Sequence, residues 1–245
     1  MPELSILMPV YNERATVERA IEGALAARMP VDSWEIVVVD DGSTDGTREL
    51  LRDREWPADV RVAFHDRNAG KGAALRTALG HASGTYAAVL DADLEYDPAD
   101  IAKLLPPLVD DRADAVFGIR GFASHSSYSF WYVIGNKAVT LAANVLFNSW
   151  LDDIMTCHKA MPTELFRSLD LRSRGFEIEG EIAARLLAGG YRVFEVPISY
   201  QARGREEGKK LTARDGLRVI ATLLRCRLDA TRQRPPARRD RAGHG

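Results

Sequence analysis

One apolar run of the chain closes on acids at every second position. "YAAVLDADLEYDP" (Tyr86–Pro98) passes from small apolar residues into Asp91, Asp93, Glu95 and Asp97. If a strand continued through "DADLE", side chains two apart would share a face, and three carboxylates would crowd together. Like charges that close destabilise one another unless something neutralises them. A divalent cation coordinated by Asp91, Asp93 and Glu95 would do so; the alternative is a loop of solvated acids at a strand end. Two other apolar runs also end in polar chemistry. "LSILMPV" leads into Pro9, Tyr11, Asn12 and Glu13, and "EIVVVD" ends in Asp40, Asp41, Gly42 and Ser43. "NAGKGAALRTAL" (Asn68–Leu79) is Gly-rich and opens a helix, so Lys71 and the helix N-terminus could face a phosphate. One acidic strand end often only caps the next helix; three on one sheet point to a ligand.

These residues need a scaffold that brings the strand ends together. Continuous apolar runs at Leu4–Val10, Glu35–Asp40, Asp59–Phe64, Thr85–Leu90 and Asp114–Ile119 alternate with helical patterns at Arg14–Arg28, from Ser43 onward, and at Gly70–Ala82. That order predicts an α/β fold: a Rossmann-like, doubly wound, mostly parallel sheet covered on both faces. Ligands of such sheets sit at the carboxyl ends of the strands. The second half differs. Tyr128–Trp150 reads as one long helix on which Asn136, Thr140, Asn144 and Asn148 fall four apart. Either this helix packs on the domain with its polar stripe turned to water, or it lies at a membrane interface. A helix near Glu179–Leu187, a strand Tyr191–Tyr200, the basic loop "QARGREEGKKL" and an amphipathic helix Arg214–Leu228 follow. Residues 1–228 are read as one domain with a ligand-binding half (1–120) and an extension (121–228). The stretch 229–245 is a basic tail whose composition predicts disorder.

Composition excludes several classes. The chain has 245 residues and a net charge of −2, which offers no global case for nucleic acid binding. Cys157 and Cys226 form no CxxC spacing, which argues against a structural zinc site or a disulfide framework and fits a reducing, cytoplasmic setting. The N-terminus carries no signal-peptide pattern, and polar residues interrupt the longest apolar stretch, Trp131–Leu151. GxGxxG and GxxxxGK[ST] are missing, which disfavours dinucleotide dehydrogenases and P-loop enzymes. His65 and His158 stand alone, and no Ser/His/Asp arrangement is evident.

In combination, "MPVYNE", "VVDDGSTDGT", "NAGKGAAL" and "LDADLEYDP" resemble the inverting family-2 glycosyltransferases of the GT-A fold, the last being similar to their DxD signature. "GNKAVTLAANVLF", "DDIMTCHKA", "GFEIEGEIAARLLAGGYRVFEVPISY" and "ARGREEGKK" extend the likeness to the polyprenyl-phosphate sugar transferases, the dolichyl-phosphate mannosyltransferase group. The resemblance implies a nucleotide-sugar site at Pro9, Tyr11, Asn12, Glu13, Asp40, Asp41, Gly42, Lys71, Asp91, Ala92 and Asp93. It also implies Mg²⁺ or Mn²⁺ at Asp91, Asp93 and Glu95, although many relatives have Gln at the last position. Arg120, Lys137, Arg203, Lys209 and Lys210 would contact an acceptor phosphate, with Asp93, Arg120, Arg203 and Lys209 carrying catalysis. The donor would be GDP-mannose or a UDP-sugar and the acceptor a polyprenyl phosphate, with peripheral contact at the inner face of the cytoplasmic membrane. The basic loop departs from the mannosyltransferases' GxSK-type motif, and the C-terminal membrane spans of many members are not matched. A hydroxyl acceptor in glycan or cell-envelope polysaccharide synthesis is the alternative; it would need a base such as Asp153, Glu179 or Glu181. A nucleotide-sugar-binding protein without turnover is the third reading.

Overall fold

A computed structural model describes residues 3–121, 130–202 and 213–232. Seven strands form one sheet in the order β3-β2-β1-β4-β6-β5-β7. They are β1 (Leu4–Val10), β2 (Trp34–Asp40), β3 (Val60–Phe64), β4 (Tyr86–Val89), β5 (Ala115–Arg120), β6 (Lys159–Pro162) and β7 (Val193–Ile198). All pairings are parallel except those of β6, which runs antiparallel between β4 and β5. Every residue of β1 is buried, and so are the six after Trp34 in β2, as a sheet covered on both faces demands. Helix α1 (Val17–Ala26) turns Val17, Ala20, Ile21 and Ala24 inward at helical spacing. Helices α2 (Thr47–Asp53) and α3 (Lys71–His81) follow β2 and β3. The short helices α4 (Ile101–Leu104) and α5 (Pro106–Val109) lead into β5.

The expected strand through "DADLE" does not form. Pairing with β1 ends with Leu90 N–H donating to the Leu7 carbonyl at 3.0 Å, and Asp91 to Glu95 make a turn. Leu94 takes a left-handed φ of 61°, and the Asp93 carboxylate accepts the Glu95 N–H at 3.0 Å. A carboxylate that caps its own turn competes with the strand ladder and wins here. The three acids therefore do not share a strand face.

The second half departs further from expectation. Strand β6 is four residues long and begins with a lysine, so it carried no strand signal. Its pairing sets Phe117 of β5 opposite Lys159. The connection between these strands thus leaves at Arg120 and returns at Lys159, at the same end of the sheet. Helix α6 (Phe130–Phe147) carries the polar stripe, and it faces inward. Asn136 and Thr140 are buried, whereas Phe130, Ile134, Leu141 and Val145 are exposed. Asn136 donates to Asp153 at 3.1 Å, and Thr140 accepts the Ile154 N–H at 3.4 Å. Asn144 both donates to and accepts from the Leu151 backbone, at 2.8 and 2.9 Å. Asn148 lies just beyond the helix, exposed. Helix α7 (Thr163–Ser168) and α8 (Ile178–Ala188) follow, and α9 (Ala213–Arg232) packs on α6 and α8 and runs four residues past the expected boundary at 228. One hydrophobic cluster extends from Leu4 to Cys226.

Candidate active site

A cavity of about 360 Å³ opens where the carboxyl ends of β1, β2, β4 and β5 meet. Of the residues expected at the site, Pro9, Tyr11, Glu13, Asp41, Lys71, Asp91, Ala92, Asp93, Glu95 and Arg120 line it. Asn12, Asp40, Gly42 and Lys137 do not. Arg203, Lys209 and Lys210 lie outside the described residues.

Each residue set back from the wall has a structural task. Asp40 is fully buried; it accepts Arg48 Nε at 2.8 Å and the Ser43 N–H at 3.2 Å. Arg48 also donates to the His65 carbonyl, so Asp40 ties the end of β2 to that of β3 and is not a cavity contact. Asn12, at φ 53°, accepts the Thr44 N–H at 2.9 Å, while its own N–H donates to Ser43 Oγ at 2.9 Å. Gly42 has φ +75°, and a Cβ there would lie 2.4 Å from the Arg67 carbonyl carbon. Only glycine meets both conditions. Lys137 is exposed, and its ammonium donates to the Asp152 carbonyl at 3.1 Å.

On the wall, Asp41 organises the Gly-rich loop. Its oxygens accept the N–H groups of Ala69 and Gly70 at 2.9 and 2.8 Å, with His65 Nδ1 at 2.7 Å. The expected phosphate site at the start of α3 is taken by the protein itself. The N–H groups of Gly72 and Ala73 donate to the Arg174 carbonyl at 2.7 and 3.3 Å. Lys71, the first residue of α3, instead reaches across the cavity: its Nζ lies 2.7 Å from Asp91 Oδ2 and 2.9 Å from Glu179 Oε1. The second contact is an ion pair without hydrogen-bond alignment. Burial pulls the Lys71 pKa down, but the Asp91 carboxylate, with Cys157 and Glu179 behind it, holds it well above the ordinary lysine value.

Asp91, Asp93 and Glu95 all face the cavity, but the described residues contain no group of three acidic, His or Cys side chains gathered as a metal cage. The Glu95 carboxylate accepts the Tyr200 hydroxyl at 2.6 Å. It acts as a tether between the acid turn and the end of β7.

Arg120 projects from the end of β5 and is 3% exposed. It grips Asp153 with two hydrogen bonds, Nε to Oδ2 at 2.6 Å and Nη2 to Oδ1 at 2.8 Å. Burial raises the Asp153 pKa, but the Arg120 guanidinium and the Asn136 amide outweigh it and hold it below the ordinary carboxylate value. The inward stripe of α6 thus fixes the loop that fixes Arg120. Lys159 is wholly buried; it donates to Glu179 Oε2 at 2.5 Å and to the Thr156 carbonyl, and lies over the Phe117 ring.

Sequence reasoning missed Tyr96, Met155, Cys157, Phe176 and Tyr200, which also line the cavity. Tyr96 accepts the Cys157 N–H at 3.1 Å and packs on the rings of His158 and Tyr200. Only its place next to the acid turn could have pointed to it.

Comparison with known proteins gives the family and the fold. The family model described as "Glycosyl transferase family 2" matches residues 5–169, which hold β1 from its second residue, the acid turn and Arg120. Glycosyltransferase AglJ of Haloferax volcanii is 33% identical over 201 residues, covering 81% of this chain and 63% of AglJ. Dolichol-phosphate mannosyltransferase of Pyrococcus furiosus is 29% identical over 233 residues, covering 91% and 64%. Dodecaprenyl-phosphate galacturonate synthase of Rhizobium johnstonii is 36% identical over 122 residues, covering 48% and 36%. The chain therefore spans between about one third and just under two thirds of the length of these relatives. Glucosyl-3-phosphoglycerate synthase from Mycobacterium tuberculosis, solved with Mn²⁺, UDP and phosphoglyceric acid, superposes with a TM-score of 0.68 at 23% identity, covering 92% of this chain and 78% of that one. Its complex with Mg²⁺ and UDP gives 0.68 at 21% identity, covering 92% and 79%. Those neighbours share the fold, a GT-A sheet. With its cavity at the strand ends and the family match running across it, the chain belongs to glycosyl transferase family 2.

Proposed function

We propose that this glycosyltransferase moves a sugar from a nucleoside diphosphate sugar to a polyprenyl phosphate with inversion at the anomeric carbon. The observation that carries the reading is the meeting, in one cavity, of the acid turn Asp91–Asp93 and the buried arginine Arg120. The names of the Pyrococcus and Rhizobium relatives support a polyprenyl phosphate acceptor.

Asp91 and Asp93 offer hard carboxylate oxygens, the donor type that Mg²⁺ and Mn²⁺ take. These two residues would hold the ion, and when bound it would act as a Lewis acid toward the departing diphosphate. The remaining work belongs to the chain. Pro9, Tyr11, Glu13 and Asp41 would receive the nucleoside, and Lys71 the diphosphate. An acceptor phosphate is already an anion near neutral pH, so it needs placement rather than a strong base. Arg120 would place it, with Arg203, Lys209 and Lys210 as further contacts. The new bond joins a phosphate oxygen to the anomeric carbon as the bond to the diphosphate oxygen breaks.

The acids that a hydroxyl acceptor would need are badly sited. Asp153 and Glu181 do not line the cavity, and Glu179 is held between Lys71 and Lys159. Among the described residues no helix is long and apolar enough to cross a membrane. The exposed Phe130, Ile134, Leu141 and Val145 of α6, with Leu217, Leu224 and Leu228 of α9, support contact with a lipid surface instead. Such contact would bring the chain to the inner face of the cytoplasmic membrane.

The test is nucleoside diphosphate release from GDP- and UDP-sugars with Mg²⁺ or Mn²⁺, with and without detergent-dispersed polyprenyl phosphate. Release that requires the lipid phosphate, and stops with EDTA, is expected. Release indifferent to the lipid would refute the acceptor assignment.

A further inference from the structure

A line of alternating charges runs from the cavity wall into the core: Asp91, Lys71, Glu179, Lys159. Consecutive members are 2.7, 2.9 and 2.5 Å apart. Two carboxylates and two ammonium groups sum to zero, so the line is neutral as it stands. Its inner end is fixed. Lys159 is wholly buried, and it holds Glu179 through the oxygen that Lys71 does not face. The backbone that carries Lys71 is fixed as well. A Cβ on Gly70 or Gly72 would lie 2.3 or 2.4 Å from the carbonyl oxygens of Arg174 and Ser173, so the start of α3 is seated against that backbone. Lys71 is 11% exposed at the side chain and Asp91 is 20% exposed, so this outer pair is the part of the line that a ligand reaches.

We propose that Lys71 is a resident cation of the Asp91 carboxylate, and that it makes metal binding at the acid turn depend on the diphosphate. This rests on the donor-site reading above. With no diphosphate present, the Lys71 ammonium already satisfies Asp91 and repels a second cation at that carboxylate. An arriving diphosphate supplies the negative charge that lets the ammonium turn from Asp91 to phosphate oxygen. Asp91 is then released to the metal while Glu179 still holds the base of the lysine's range. Affinity for the metal and affinity for the nucleotide are therefore coupled, and the coupling is reciprocal.

The experiment is a Mn²⁺ titration of the full chain, followed by electron paramagnetic resonance or calorimetry. It is run alone and with saturating GDP or UDP, on wild type, Lys71→Met, Lys71→Gln and Lys71→Arg, each checked for folding by circular dichroism. Wild type is expected to bind Mn²⁺ at least tenfold more tightly with nucleotide than without. Lys71→Met and Lys71→Gln should bind Mn²⁺ alone at least tenfold more tightly than wild type and lose most of the nucleotide enhancement. Lys71→Arg, which keeps the charge, should retain it. Equal Mn²⁺ affinity of wild type and the two neutral variants, with nucleotide-dependent binding intact, would overturn this inference and leave the donor site standing. No Mn²⁺ binding by any of the proteins with either nucleotide would overturn the donor-site reading and this inference together.

Discussion

The two halves of the sheet hold charge beside the cavity in opposite ways. On the β1–β2 side, apart from Asp40 set back on Arg48, carboxylates rest on backbone N–H groups: Asp41 on Ala69 and Gly70, Asp45 on Arg14 and Thr47. On the β5–β6 side, charge rests on charge: Arg120 on Asp153, Lys159 on Glu179. A carboxylate held by peptide dipoles is positioned and keeps its field. A charge held by its opposite is positioned and cancelled. The first side is therefore suited to attracting cations, and the second stays neutral until a ligand competes for one partner.

This contrast predicts unequal costs. Asp153→Ala strands the buried Arg120 guanidinium, and the unfolding free energy in urea should fall by about 3–5 kcal/mol. The double change Arg120→Met with Asp153→Leu should recover most of that loss, since it removes both charges. Gly42→Ala, forced into a left-handed φ against the Arg67 backbone, should cost about 3 kcal/mol in the same measurement. Asp41→Ala leaves two N–H groups partly reachable by water and should cost about 1–3 kcal/mol. If Asp41→Ala and Asp153→Ala cost the same, the contrast fails. Asn136→Ala removes one amide bond to Asp153 and should cost about 1 kcal/mol, with Km for the acceptor rising more than kcat falls.

The smallest effect concerns pH. His158 is buried with its ring nitrogens 3.2 Å from the carbonyls of Val89 and Asp97. Burial lowers its pKa from the ordinary 6.5, only partly offset by Asp97, Asp100 and the other groups around it. The unfolded chain takes up a proton near 6.5 that the folded chain refuses. The contribution is thus complete above that pH and declines as pH falls toward the folded value. Melting temperatures between pH 7.5 and 5.5 should fall less steeply for His158→Gln than for wild type.

Legibility in the sequence followed the same division. The acids of the β1–β2 side and of the turn after β4 sit within a few residues of an apolar run, so their type and spacing announced the strand ends. The turn at Asp91–Glu95 escaped because alternation alone does not reveal a left-handed Leu94. On the other side the informative partners are far apart in the chain. Nothing near Lys159 marks it as a core residue; its partner is Glu179, twenty residues on. The spacing of Asn136, Thr140 and Asn144 correctly marked one face of a helix. Its direction depended on acceptors and donors at Leu151, Asp153 and Ile154, which periodicity does not register. Apolar residues on the opposite face of α6 made the inward polar stripe look like the outer one.

The antiparallel β6 has a consequence for how such a protein diversifies. The segment from 121 to 158 departs and returns at the same end of two neighbouring strands, β5 and β6, each point marked by a buried cation with its own counter-ion, Arg120 and Lys159. A segment whose two ends are neighbours behaves as a cassette: its length and composition can drift while the strands on either side keep their register. That one insert can therefore be exchanged, provided it keeps a partner for Arg120 where Asp153 stands, while the ends of β1, β2 and β4 need not change.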